Sequence, residues 1–197
     1  MCKVVTDGNM AELRKLLLDC DVNAASEPDS KSPLHIVCES GRLNVAQLLL
    51  AQPTVDVNVR TPNQWTPLHS ACENGFVDIV QLLMSRPELD VTGISSAKVA
   101  NATPVHLAVK RQHIVVVQAL VLHALAALIS DSVAVAATQF LAAFLAPEFP
   151  LDITARADVI QAVWAAHEDA AERRTMRDRL LEQYPAQPHD VLSRVVW

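Results

Sequence analysis

The stretch Ser32-Pro-Leu-His-Ile-Val-Cys-Glu-Ser-Gly41 decides the fold, because it returns 34 residues later as Thr66-Pro-Leu-His-Ser-Ala-Cys-Glu-Asn-Gly75. A looser copy, Thr103-Pro-Val-His-Leu-Ala-Val-Lys-Arg-Gln112, follows after a further 37 residues. Each copy leads into an apolar stretch, and a partial earlier copy surrounds Gly8. A motif of several residues that returns at a period of about 20 to 50 residues is typical of a repeat architecture.

Each copy is readable as a pair of helices. Ser32, Thr66 and Thr103 are suited to cap a helix, and the proline after each would occupy the first helical position, where its missing N–H costs nothing. The glycine after about two turns favours a left-handed end to that helix. The apolar run that follows predicts a second, antiparallel helix, which ends at Pro53 or Pro87.

This pattern resembles the ankyrin repeat family, whose signature T-P-L-H-x-A lies inside a repeat of about 33 residues. Thr66-Pro-Leu-His-Ser-Ala71 matches the signature outright, and the resemblance covers about residues 1–125. It implies an all-α solenoid in which each repeat carries a short β-hairpin-like finger. The implied ankyrin repeat domain has a partial repeat over 1–27 and further repeats over about 28–61, 62–97 and 98–125.

Residues 126–197 differ from the repeats and predict an Ala-rich helical C-terminal region. We expect one helix over 133–146 and a longer amphipathic helix over about 155–184. Because the last repeat of a solenoid needs its apolar face covered, we expect this region to cap the repeats. It would then pack on Ile114, Val117, Leu120 and Val121. A separate protein-binding or dimerising role is the alternative for this region.

The composition narrows the class of protein. Four glycines and 4% aromatic residues in a chain that is 51% hydrophobic argue against an all-β fold. The net charge of -6 argues against nucleic acid as a partner, since binding to phosphates needs a basic face. The four cysteines are few and scattered, and the N-terminus lacks the pattern of an export signal. We therefore expect a cytoplasmic protein, with the nucleus as a second possibility.

The sequence favours protein binding over catalysis. It contains no G-x-S-x-G, G-x-x-x-x-G-K-[ST], H-E-x-x-H or G-x-G-x-x-G motif. We predict no enzyme activity, no cofactor and no bound metal. Solenoid repeats bind other proteins through an extended concave surface. The resemblance therefore implies an adaptor or scaffold that binds a protein partner through the concave face of its finger tips and first helices.

The resemblance also implies which residues contact the partner. His35, His69 and His106 would be structural residues that bind the backbone of adjoining fingers. Trp65 would be either a binding hot spot or a cover for its own finger and helix. The implied protein-binding residues are Asp29, Lys31, Glu39, Ser40, Asn63, Trp65, Glu73, Asn74, Lys110 and Arg111.

Two alternatives of a different kind remain open at this stage. The apolar residues 114–147 could form a helical hairpin that tethers the repeats to a membrane, although each half is shorter than the ~20 residues of a spanning helix. The pairs His35-x-x-Cys38 and His69-x-x-Cys72 could bring four zinc ligands together on stacked helices.

Overall fold

The architecture is that of a computed structural model of the 197-residue chain. It describes residues 2–26, 30–91, 103–127, 140–142, 144–146, 149, 151–166, 170–185 and 191–195. The chain divides into two compact units, Met1–Arg111 and Gln112–Trp197.

The first unit is built from pairs of short helices that stack in two rows. The first helices of successive pairs, α1, α3, α5 and α7, contact one another in that order, and α4 contacts α6 in the second row. This arrangement confirms the predicted all-α solenoid class. The helices are α1 (Cys2–Asp7), α2 (Met10–Asp19), α3 (Pro33–Ser40), α4 (Leu43–Leu50), α5 (Pro67–Asn74), α6 (Val77–Met84) and α7 (Pro104–Lys110).

The ends of the first helices follow the local chemistry of the repeated motif. Ser32 and Thr66 are the N-cap residues of α3 and α5, and a proline opens each helix. Gly41 and Gly75 end the same helices with φ of 72° and 77°. These left-handed ends, which glycine adopts without steric cost, are confirmed as predicted. Gln112 takes the same conformation, with φ of 62°, where the other copies have glycine.

The core of the first unit repeats with the sequence. Leu34 and Leu68, 34 residues apart, are fully buried in first helices. Leu49 and Leu83, at the same spacing, are fully buried in second helices. Burying a side chain of this size contributes about 1.5–3 kcal/mol, so each repeat adds a similar apolar layer to the stack.

Asparagine side chains link each repeat to the next. The Asn23 amide donates to the carbonyl of Thr54 at 2.8 Å, and its Oδ1 accepts from the N–H of Asp56 at 2.8 Å. Asn58 makes both bonds again one repeat later, at 2.6 and 2.8 Å. These bonds hold the turns between repeats in a regular register.

The second unit is helical throughout its named elements. It contains α8 (Ile114–Ala127), α9 (Ile153–Ala166), α10 (Ala170–Gln183) and a short 3₁₀ helix (Leu192–Arg194), and residues 140–142 and 144–145 are helical too. α9 and α10 both pack against α8.

Several predictions for the C-terminal region can be compared with the helices of this unit. Val117, Leu120 and Val121 of α8 are buried, whereas Ile114 is 40% exposed. The predicted helix over 155–184 corresponds to α9 and α10, and residues 167–169 lie outside the described residues. Most of the predicted helix over 133–146 also lies outside them. Capping of the repeats stays a prediction.

The predicted boundary between 1–125 and 126–197 also stays a prediction. The two compact units divide between Arg111 and Gln112, because α8 packs with α9 and α10. No helix in the described part of the chain is long and apolar enough to cross a membrane. Part of the predicted hairpin over 114–147 lies outside that part.

Candidate functional site

Backbone hydrogen bonds close two of the fingers between the helix pairs, as far as the described residues extend. In the second finger the N–H of Thr61 donates to the carbonyl of Trp65 at 3.0 Å, and the N–H of Gln64 donates to the carbonyl of Thr61 at 2.8 Å. The first finger closes through an isolated antiparallel bridge between Ser26 and Lys31. The second finger and the base of the first are thus the described parts of the predicted β-hairpin-like fingers.

A buried histidine joins one repeat to the finger of the next. The backbone N–H of Ser32 donates to Nδ1 of His35 at 3.3 Å, so Nδ1 carries no proton. The other ring nitrogen, Nε2, lies 3.0 Å from the carbonyl of Trp65 and therefore donates to it. Burial lowers the pKa of His35, against opposing contributions from the Trp65 carbonyl and Glu39. The ring is thus held neutral, in its structural role.

The same local arrangement returns in the following copies. The N–H of Thr66 donates to Nδ1 of His69 at 3.1 Å, and the Thr66 hydroxyl lies 2.7 Å from that nitrogen. The Thr103 hydroxyl lies 2.7 Å from Nδ1 of His106, whose pKa is lowered by burial. All three histidines therefore bind the residue that caps their own helix.

The paired histidines and cysteines are not brought together as a group of metal ligands in the described residues. Cys38 and Cys72 are fully buried, and burial raises the pKa of both thiols. His35 already uses both ring nitrogens in hydrogen bonds. Across the described residues, no cluster of three or more His, Cys, Asp or Glu is placed to hold a metal ion.

Trp65 is half-buried against its own helix. Its Nε1 donates to the hydroxyl of Ser70 at 3.0 Å, and its ring centroid lies 5.0 Å from that of His69. These contacts favour the interpretation that Trp65 covers its finger and helix. The partner Ser70 was not predicted, because it fills the variable position of the repeated motif and nothing local indicates its role. The hot-spot role of Trp65 stays a prediction.

Four of the implied binding residues form two ion pairs. Lys31 pairs with Glu39 at 2.7 Å, which ties the first finger to α3. Arg111 pairs with Glu73, which ties the end of α7 to α5. Partly exposed pairs of this kind contribute little to stability, typically about 0–1 kcal/mol, so these side chains can exchange their partners at small cost.

The remaining implied residues differ in how free they are. Ser40 and Asn74 are exposed, and each bonds to a carbonyl of its own helix at 2.8 Å. Asn63 and Lys110 are exposed. Asp29 lies outside the described residues. We call the surface of the fingers and the exposed sides of α3, α5 and α7 the concave face, because the resemblance to ankyrin repeats predicts that this surface is concave. It contains Lys31, Glu39, Ser40, Asn63, Trp65, Glu73, Asn74, Lys110 and Arg111.

Comparison with known proteins identifies the repeats. A family model described as ankyrin repeats, in three copies, matches residues 1–93. Residues 1–93 belong to the ankyrin repeat family. The comparison with curated proteins found no match.

The ankyrin row continues past the matched residues. α7 begins after the match ends, yet it contacts α5 as α5 contacts α3, and His106 bonds its capping threonine as in the ankyrin repeats. Ankyrin repeats generally mediate binding between proteins. The first unit is thus built in the manner of a repeat class that generally binds other proteins.

Proposed function

We propose that this protein is a non-catalytic ankyrin-repeat adaptor that binds a protein partner through the concave face. The observation that carries the proposal is the side-by-side row of α3, α5 and α7. The repeat over 62–97 exposes Asn63 on its finger and Asn74 on α5, and the next repeat exposes Lys110 at the end of α7, while apolar residues of the helices are buried. An extended platform of this kind suits a partner surface better than a small ligand.

The backbone under this face is held in place before a partner arrives. His35 ties α3 to the second finger, and Trp65 ties that finger to α5. A surface that is already ordered loses less conformational entropy on binding, which favours affinity. The concave face is therefore a preorganised platform with adaptable side chains.

The charges on the concave face suggest the orientation of the partner. Glu39 and Glu73 are paired with Lys31 and Arg111, and Lys110 adds an exposed positive charge beside Arg111 at the end of α7. An acidic segment of the partner would meet Lys110 and Arg111, because opposite charges steer association and fix register. Trp65 would supply apolar contact area near the middle.

Affinity capture from cell lysate with matched variants tests the proposal. The concave-face variant is Asn74→Arg/Lys110→Glu, which alters two exposed first-helix residues. The control is Gln81→Arg/Lys15→Glu, which makes the same two chemical changes on exposed positions of second helices. Circular dichroism and urea unfolding first establish that all three baits are equally folded.

We expect a partner that is recovered with the wild-type chain and with the control but is reduced at least about tenfold with the concave-face variant, as for the loss of a binding hot spot. Equal recovery with all three baits would rule out the concave face as the binding surface. Loss with the control alone would place binding on the second helices.

A further inference from the structure

A cleft of about 650 Å³ lies in the second unit, at the start of α9. Phe149, Leu151 and Ile153 form part of its wall. The same wall carries two arginines, Arg156 and Arg194. A cleft that combines apolar side chains with convergent charged groups is the usual form of a small-ligand site.

Arg156 is the distinctive group in this cleft. It is only 2% exposed, and its Nη1 donates to the carbonyls of Phe144 at 3.0 Å and Ala146 at 2.6 Å. Its Nε is buried with no hydrogen-bond partner among the described residues. A buried donor without an acceptor loses the hydrogen bond that it would make in water, and the cost is larger when the donor is charged. The side of the guanidinium group that bears Nε therefore lacks an acceptor.

The polar side chains that line the described part of the cleft give it a net positive charge. Nη1 of Arg194 donates to the Thr154 hydroxyl at 3.1 Å, which holds this second guanidinium group at the cleft. Asp152 offsets one positive charge, but its Oδ1 accepts from the N–H of Ala155 at 2.8 Å at the start of α9. Among the described lining residues, two arginines and one aspartate leave one positive charge, which suits a singly charged anion.

We propose that this cleft binds a carboxylate carried on a short apolar stem. The carboxylate would accept two hydrogen bonds side-on from the Nε edge of Arg156, a geometry that matches the planar fork of a guanidinium group. Arg194 would add the second cation, and the stem would lie against Phe149, Leu151 and Ile153. The site lies in the second unit and does not rest on the function proposed for the concave face.

Because Arg156 is buried, its positive charge would be stabilised by a bound anion. Desolvation lowers the pKa of this guanidinium group, and the nearby Asp152 opposes that shift. A carboxylate placed at the free edge would compensate the buried charge, as buried charges are usually compensated by a hydrogen-bonded partner.

Titration of the full-length chain with two probes tests the site. N-acetyl-leucine carries the carboxylate and N-acetyl-leucinamide does not, while the stem is the same. Binding is followed by ¹H–¹⁵N chemical shifts, including the Nε–H signal of Arg156. We expect the acid to bind with a dissociation constant of about 1 mM and to move the Arg156 signal, and the amide to do neither.

Three variants distinguish direct contacts of the arginines with the carboxylate from a general effect of positive charge. Arg156→Lys keeps the charge but removes the fork, and Arg194→Gln removes the second cation without disturbing the buried bonds of Arg156. Arg174→Gln is the matched control, because it removes an exposed arginine of α10 in the same unit. We expect Arg194→Gln and Arg156→Lys to weaken binding of the acid about tenfold. Arg174→Gln should leave it unchanged.

Octanoate is the third probe. Tighter binding of octanoate than of N-acetyl-leucine would indicate a fatty acid as the source of the carboxylate, and tighter binding of N-acetyl-leucine would indicate a peptide C-terminus. Three results would each overturn the proposal. They are equal binding of the acid and the amide, equal weakening by Arg194→Gln and Arg174→Gln, and no binding of either acid at about 50 mM, well above the expected constant.

Discussion

At the scale of single residues, the histidine of the repeated motif does two jobs with one neutral ring. Nδ1 of His35 accepts from the N–H of the residue that caps its own helix, and Nε2 donates to the carbonyl of Trp65 in the next finger. Protonation of Nδ1 would turn an acceptor into a donor facing another donor. The stability of the repeats therefore depends on the charge state of this residue type.

This dependence predicts that mild acid destabilises the fold. Burial lowers the pKa of His35 and of His106 below the ordinary value of 6.5, so the unfolded chain binds more protons than the folded chain below that pH. Their contribution is fully present above about pH 6.5 and is lost as the pH falls toward the lowered pKa, by at most about 1.4 kcal/mol per pH unit for each histidine.

Urea unfolding at pH 7.5 and 5.5 measures the effect, in a range where carboxylates remain charged. We expect a lower midpoint at pH 5.5 and a His35 ring that titrates below pH 6.5 by NMR. A midpoint that stays constant or rises at pH 5.5, or titration of His35 above pH 6.5, would contradict the assignment.

At the scale of elements, adjacent repeats are joined by side-chain bonds as well as by apolar packing. Asn58 bonds both the carbonyl of Glu88 and the N–H of Asp90 in the following turn. Asn23 makes the same pair of bonds one repeat earlier. The third turn has Thr92 in the corresponding sequence position, which lacks the amide.

Removal of one of these links should destabilise the first unit. We expect Asn58→Ala to lower the free energy of unfolding by about 1–3 kcal/mol, because it removes two hydrogen bonds that are typically worth about 0.5–1.5 kcal/mol each. Asn44→Ala, at an exposed position of α4, is the control and should change stability by less than about 0.5 kcal/mol. Urea unfolding measures both. Equal effects of the two substitutions would show that the bonds of Asn58 add nothing to stability.

The helix pairs were predictable from the sequence because their signals are local. Proline after a hydroxyl residue starts a helix and glycine in a left-handed conformation ends it, so α3 and α5 lie where the motif places them. The contacts of Asn58 and of Trp65 with Ser70 were not predictable in the same way. They join residues through the folded geometry, and polar residues in turns and variable positions have many other uses.

At the scale of the whole molecule, the chain combines two units with different kinds of candidate site. The first unit offers an extended polar face on a stack of ankyrin repeats, and the second offers a small cleft around Arg156. The concave face could be predicted from the resemblance to ankyrin repeats, because its residues lie at the same positions in each repeat. The cleft was not predicted, because it depends on residues far apart in sequence, such as Thr154 and Arg194, meeting in a helical fold.

Site-specific photo-crosslinking tests the binding role of the concave face most directly. Benzoylphenylalanine replaces Asn63 or Lys110 on the concave face, and Gln81 on α6 as the control, in the full-length chain. After illumination in cell lysate, mass spectrometry identifies the covalent adducts. We predict that Asn63 and Lys110 crosslink to the same protein and that Gln81 does not. Adducts with that protein from Gln81 alone, or equally from all three positions, would contradict the account.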